Sequence, residues 1–159
     1  MIKVAILTVS DSCSQRKRED VSGQTIRNIL DADKFEICEY KVVPDEHQDI
    51  KKELIGFADE AKVDIVLTTG GTGLGPRDVT PEATAAVCDK MVPGLTEAMR
   101  IEGLKKTKNA MLSRCAAGIR GNTLIINLPG SPKAVKESLE IILDVLPHAR
   151  DMVLGRGHK

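Results

Sequence analysis

The sequence predicts an α/β fold built on a mainly parallel sheet. Apolar runs rich in β-branched residues alternate with stretches of three- and four-residue apolar spacing, which is the pattern of repeated βαβ units. The proportions, 42% hydrophobic and 29% charged residues, are those of a globular chain. A length of 159 residues suits one domain over positions 1–159, able to bury about 70% of its unfolded surface without a disulfide or metal staple.

In chain order, Ile2 to Val9 is apolar apart from Lys3. It is too short for a signal segment or a membrane span, and reads as a first buried strand. Ser22 to Ala32 follows as a helix, and Phe35 to Val43 as a second strand. In Glu46 to Ala61 the positions Ile50, Leu54, Phe57 and Ala61 repeat at helical spacing. Val63 to Thr68 is the third strand. Pro81 to Asp89 and Pro132 to Leu146 are helices opened by Thr80-Pro81 and Ser131-Pro132, each an N-cap followed by Pro at the first helical position. Leu95 to Leu104 is a further helix. Gly118 and Gly121-Asn122 make Arg114 to Asn122 an irregular strand or hairpin leading into a fourth strand, Thr123 to Leu128. The end of the chain, Gly155 to Lys159, is expected to fray.

Composition removes several function classes. Lys plus Arg and Asp plus Glu both number 23, and this neutrality argues against a general nucleic-acid binder or a membrane-surface protein. The only aromatics are Phe35, Tyr40 and Phe57, too few for a base-stacking platform. A bound heterocycle is expected to be held by polar edges or a guanidinium face. Cys13, Cys38, Cys88 and Cys115 form no CxxC pair and follow no secretory leader, so they read as reduced thiols in the cytoplasm. His47, His148 and His158 lack zinc-site spacing. Cys13 and Cys115 have no recognisable base partner and read as packing or lining residues.

Polar residues concentrate in the segments after the four strands. These are Ser10-Asp11-Ser12 through Asp20, Ser22 and Gly23; Pro44-Asp45-Glu46; Thr69 to Thr80; and Pro129-Gly130-Ser131-Pro132. Parallel strands would bring all four to one sheet edge, where α/β proteins bind ligands and helix N-termini present free N–H groups. The third segment, Thr69-Gly70-Gly71-Thr72-Gly73-Leu74-Gly75-Pro76-Arg77-Asp78, can wrap its backbone around a phosphate or a polar ring edge. It is neither a Walker loop, lacking Gly-Lys-Ser/Thr, nor a dinucleotide fingerprint, because Asp78 stands where the third Gly belongs. Asp11, Asp20, Asp45 and Asp78 beside an anion site suggest Mg²⁺ held by carboxylates and substrate phosphates, although Asp20 also suits a helix cap. The basic run Arg16-Lys17-Arg18 is either solvated surface or part of the site. Lys105, Lys106 and Lys108 read as solvated surface.

The same residues resemble the molybdopterin adenylyltransferase family of the MogA/MoaB type. The likeness lies in Val9-Ser10-Asp11, Asp20-Val21-Ser22-Gly23, Val43-Pro44-Asp45-Glu46 and the run from Thr69 to Thr84. It continues through Pro93-Gly94, Met111-Leu112-Ser113-Arg114, Ala117-Gly118-Ile119-Arg120 and Asn127-Leu128-Pro129-Gly130-Ser131-Pro132, covering nearly the whole chain in order. The resemblance implies a three-layer α/β/α fold of the molybdopterin-binding type, a homotrimer, and adenylylation of molybdopterin by Mg-ATP with release of pyrophosphate. Product hand-over to a molybdate-insertion protein would follow.

By the same resemblance, Asp45, Asp78 and Ser113 are catalytic, and Asp45 and Asp78 handle the metal. Ser10, Asp11, Asp20, Ser22, Gly23, Thr69, Gly70, Gly71, Thr72, Gly73, Arg77, Pro129, Gly130 and Ser131 bind ATP or the pterin. Two positions depart from the family pattern: residues 12–19 contain no glycine, and Ser131 stands where relatives often carry Asn or Gln. The alternative within the family is a non-catalytic molybdopterin-binding or scaffold protein.

Overall fold

The computed structural model describes residues 1–157. Its element order is β1 (Ile2–Val9), a one-turn α1 (Asp11–Ser14), α2 (Val21–Ile29), β2 (Phe35–Val43), α3 (His47–Ile55), β3 (Ile65–Thr69), α4 (Thr80–Val87), β4 (Lys90–Met91), α5 (Pro93–Leu104), β5 (Ala117–Arg120), β6 (Thr123–Leu128), α6 (Pro132–Ile142) and α7 (Leu146–Val153). One six-stranded sheet runs β2-β1-β3-β6-β5-β4. The pairs β1–β2, β1–β3 and β3–β6 are parallel, and β5 is antiparallel to both β6 and β4.

Strand side chains point alternately to opposite faces, and the two faces build two separate cores. Ile2, Val4 and Ile6 of β1, with Ile65, Leu67, Leu124 and Ile126, pack against Ile26 of α2, Met99 of α5 and Val135 and Leu139 of α6. Ala5, Leu7 and Val9, with Val66 and Ile125, pack against Ile50 and Leu54 of α3 and Ala83 and Val87 of α4. Helices therefore cover both faces, giving the expected three layers. Every residue of β3 and β6 is buried, as central parallel strands require.

The strands at 2–9, 35–43 and 123–128 lie where the sequence predicts, and β3 is displaced to Ile65–Thr69. The helices differ more. Thr80 is not an N-cap: α4 starts from Val79 without a side-chain cap, because the Thr80 hydroxyl donates to the Gly70 carbonyl at 2.9 Å. Ser131 does cap α6, accepting from the Ala134 N–H at 3.2 Å. The helix α2 ends at Ile29, before Ala32, where Asp31 starts a turn by accepting from the Asp33 N–H.

The helix expected to run to Ala61 becomes a π-helical turn over Gly56–Glu60, closed by Ala61 N–H to Gly56 O at 2.9 Å. Pro93 and Gly94 lie inside α5, since Pro fits the first helical turn. The predicted helix to Leu146 divides into α6, a 3-10 turn at Leu143–Val145 and α7. Gly155 and Arg156 close α7 through N–H bonds to Met152 O and Asp151 O, the Schellman arrangement. They do not trail from it. His158 and Lys159 lie outside the described residues.

One buried polar residue joins the layers. Asn127 on β6 is fully buried, and its Nδ2 donates to Thr68 Oγ1 at 3.0 Å and to Thr84 Oγ1 at 2.9 Å. Its Oδ1 accepts from the Ala116 N–H at 3.1 Å. It ties β3, α4 and the entrance to β5 together beneath the loop edge. Asn127→Ala strips partners from two hydroxyls and a backbone N–H, and should lower unfolding free energy by about 3 kcal/mol in urea titration.

Candidate active site

The parallel pairing sends the segments after β1, β2, β3 and β6 to the same sheet edge. The segment after β1 leads to α2 on one face and the segment after β3 leads to α4 on the other, so a crevice opens between adjacent strands.

Direct bonds fasten these segments to one another. The Asp11 N–H donates to Asp45 Oδ2 at 2.9 Å and the Asp45 N–H returns a bond to Asp11 Oδ1 at 3.0 Å. Arg77 reaches back from the third segment, its Nε and Nη2 donating to the Asp11 carboxylate at 3.1 and 3.0 Å. Its Nη1 meets Glu46 at 2.8 Å. Ser22 Oγ donates to Gly130 O and Thr69 Oγ1 to Pro129 O, both at 2.6 Å.

The glycine segment is shaped by contact. Gly70 has φ +97°, and a Cβ there would run into the Val9 carbonyl, so this turn requires glycine. A Cβ at Gly73 or Gly75 would lie 2.9 Å from Asp78 Oδ2. The Asp78 carboxylate folds over its own loop and accepts from the Gly75 N–H at 2.9 Å.

Two cavities flank this segment. The larger, about 720 Å³, is of a size that holds a small organic ligand. Gly71, Thr72, Gly73, Asp78, Ser113, Pro129, Gly130 and Ser131 from the predicted set line it. The smaller, about 60 Å³, is lined by Ser10, Asp20, Ser22, Thr69, Gly70 and Gly130. Asp11, Asp45 and Arg77 line neither of these two cavities and form the bonded knot described above. Gly23 sits in the first turn of α2, its N–H donating to Asp20 Oδ1 at 3.0 Å.

The four aspartates do not gather as one cluster. Asp20 caps α2 and accepts from the hydroxyls of Thr8, at 2.7 Å, and Tyr40. Burial and this carboxylate hold the Tyr40 phenol well above its ordinary pKa. Asp11 is neutralised by Arg77, whose guanidinium keeps the carboxyl below the usual range. Asp45 goes the other way: burial raises its pKa, and the charges of Asp11 and Asp78 add to the rise. Both side chains flank the glycine segment: Asp45 Oδ1 lies 3.1 Å from where a Gly71 Cβ would stand, and Asp78 folds against Gly73 and Gly75. Among the described residues, no three His, Cys, Asp or Glu stand close enough to hold a metal by themselves. A pair of carboxylates still suits Mg²⁺, which keeps waters and shares its coordination with substrate phosphates.

The structure adds a wall that sequence reading missed. Met99, Arg100 and Lys106, from α5 and its end, and Glu137, Ser138 and Ile141 of α6 line the larger cavity. Lys106 is exposed, as the sequence suggests, and also lines this cavity, its Nζ 3.7 Å from Glu137. The polar run Lys105 to Asn109 after Gly103 was the available signal. Glu137 and Ser138 had none, being ordinary positions of an amphipathic helix. No aromatic side chain lines the larger cavity. Arg100 supplies a guanidinium beside it, bonded to the carbonyls of Ser113 at 3.3 Å and Cys115 at 3.0 Å. Burial raises the Cys115 thiol and pushes Cys88 up to about 11, so both are inert packing groups.

The family described as a probable molybdopterin binding domain matches residues 5–148. The molybdopterin adenylyltransferase of Helicobacter pylori strain J99 is 46% identical over 156 residues, covering 97% of this chain and 89% of that protein. The Escherichia coli K12 molybdopterin adenylyltransferase is 40% identical over 146 residues, covering 90% and 74%. The crystal structure of the molybdopterin biosynthesis enzyme MoaB from Thermus thermophilus superposes with a TM-score of 0.93 at 53% identity, covering all of both chains.

The raised Asp45 pKa has a stability consequence. Its protonated form is favoured by the fold, so this contribution is full below the ordinary value of 3.8 and is lost as pH rises through the raised value. Asp45→Asn should therefore melt at a higher temperature than the wild-type protein at pH 7. The gain should vanish below pH 3.8 in thermal denaturation followed by circular dichroism.

Proposed function

The chain belongs to the molybdopterin-binding domain family, and on that premise we propose that residues 1–159 act as a molybdopterin adenylyltransferase domain in molybdenum cofactor biosynthesis, with ATP as the second substrate. The observation that carries this reading is a glycine-rich loop flanked by two carboxylates, Asp45 against Gly71 and Asp78 against Gly73 and Gly75, whose Asp78 side lines a cavity of about 720 Å³. Adenylyltransferases at 40–46% identity over most of the chain support it.

In the proposed reaction an oxygen of the molybdopterin phosphate attacks the α-phosphorus of ATP. The new P–O bond joins AMP to the pterin phosphate, and the bond to the β-phosphate breaks to release pyrophosphate. The substrate itself is the nucleophile, so the protein's work is positioning and charge neutralisation. Backbone N–H groups of Gly71 to Gly73 and the N-terminus of α6 at Ser131 would receive phosphate oxygens. Ser113 would hydrogen-bond substrate within the larger cavity, and Ser10 and Ser22 from the smaller one.

Arg77 is already committed to Asp11 and Glu46. Its proposed role is to hold the Asp11–Asp45 pair in place at the substrate edge. Asp45 and Asp78 would hold Mg²⁺, which would offset the charge of the phosphate groups. The reading includes a cytoplasmic location, a reducing setting that suits four free thiols. It also includes hand-over of the product to a molybdate-insertion protein. The family resemblance implies a homotrimer, in which exposed Ile101 and Leu104 are candidates for burial, and light scattering should return three times 17.2 kDa.

Incubation of the purified protein with molybdopterin and Mg-ATP should yield adenylylated pterin and pyrophosphate. Binding of molybdopterin without either product would refute the enzyme reading in favour of a carrier. Asp78→Asn should fold normally and lower the rate of pyrophosphate release by about 100-fold or more.

A further inference from the structure

We propose that Arg114 is a positioning residue that holds the glycine segment and Asp78 in their working shape, an inference that rests on the adenylyltransferase reading of this site. Between Thr72 and Asp78 the backbone belongs to no strand or helix. Its internal support is slight: Asp78 N–H to Gly75 O at 3.1 Å and Gly75 N–H to Asp78 Oδ2 at 2.9 Å. A loop with glycines at 70, 71, 73 and 75 has many alternative conformations, and its carbonyls need partners to select one.

Arg114 supplies those partners. Its backbone N–H donates to Thr72 O at 3.0 Å, its Nε to Gly73 O at 2.8 Å and its Nη2 to Asp78 O at 2.8 Å. Its remaining nitrogen, Nη1, pairs with the Glu82 carboxylate in the first turn of α4. One residue thus grips both ends of the unsupported segment and anchors itself to the helix that follows. Only a planar fork of donors spans two carbonyls and a carboxylate in this way; an ammonium cannot. Arg114 also follows Ser113, which lines the larger cavity. The clamp therefore sets the distance between Ser113 and Asp78 across the site. No Arg114 nitrogen is needed by substrate; its effect on the reaction passes through Asp78 and Ser113.

The test compares full-length wild type, Arg114→Ala and Arg114→Lys by hydrogen exchange and by single-turnover and steady-state kinetics. In Arg114→Ala, exchange should accelerate in residues 73–78 and stay unchanged in β3 and β6. The kcat should fall about 100-fold while KM for ATP and molybdopterin changes less than about threefold. Millimolar guanidinium, but not methylammonium, should restore part of kcat and slow the loop exchange again. Arg114→Lys should lie between the two.

Wild-type loop exchange or wild-type kcat in either variant would overturn the proposal. So would exchange rising equally through the sheet, or activity lost without guanidinium rescue. If Arg114→Ala fails to fold, Arg114→Lys decides by the same readouts. If wild-type protein makes no adenylylated pterin, the adenylyltransferase reading fails, while the exchange comparison still decides whether Arg114 clamps the loop.

Discussion

Burial of both faces of the central parallel strands β1, β3 and β6 is the constraint on which the rest depends. Such strands cannot be joined by tight turns, so each connection must cross over through a helix. The two faces of β1 carry Ile2, Val4 and Ile6 on one side and Ala5, Leu7 and Val9 on the other, and both require cover. Meeting that requirement puts α2, α5 and α6 on one face and α3 and α4 on the other. Four strand ends are then left at one edge, with their segments diverging to opposite faces. The cavity between the glycine segment, α5 and α6 follows from that divergence.

The second organising feature is how a neutral chain prepares to meet anionic ligands. Arg77 is the arginine within the glycine segment, and it is spent on Asp11 and Glu46. In exchange, Asp11 and Asp45 are locked in reciprocal backbone bonds, and Asp45 is left partly desolvated beside Asp78. Arg100 and Lys106 bring cations to the larger cavity, and oriented backbone N–H groups add positive character that carries no net charge and needs little rearrangement. A carboxylate raised in pKa, as burial raises Asp45, is unfavourable for the isolated fold at neutral pH, and this is the usual direction of a stability–function compromise.

The bonds that hold the edge together are of high sequence separation. Ser22 meets Gly130, Thr69 meets Pro129, Arg77 meets Asp11, and Arg114 meets Gly73 and Asp78. Each joins a segment that would be mobile alone to one presented by a different strand or helix. Glycine permits the close approaches, and these cross-links remove the freedom that glycine brings. The loop edge is therefore rigid through its neighbours more than through its own secondary structure.

Residue type and period alone specified much of this. Three strands are legible to the residue because short runs rich in β-branched apolar residues, bounded by polar turn residues, admit few other readings, and Ser131-Pro132 marks the start of α6 because its hydroxyl serves the helix. The carboxyl-edge segments, with Asp45 and Asp78, are legible as composition, whereas Ser113 is reached only through the family resemblance. Long-range partners decided the rest. Thr80 looked like a cap, but its hydroxyl is drawn to Gly70 across the loop. Asp20 looked like a metal ligand as much as a cap, and Tyr40 and Thr8 committed it to the fold. Lys106 is surface as its composition suggests, and the packing of α5 against α6 places that surface at the wall of a cavity. A local pattern reports what a residue can bond; only the tertiary structure, by bringing distant donors and acceptors within 3 Å, determines which bond it makes.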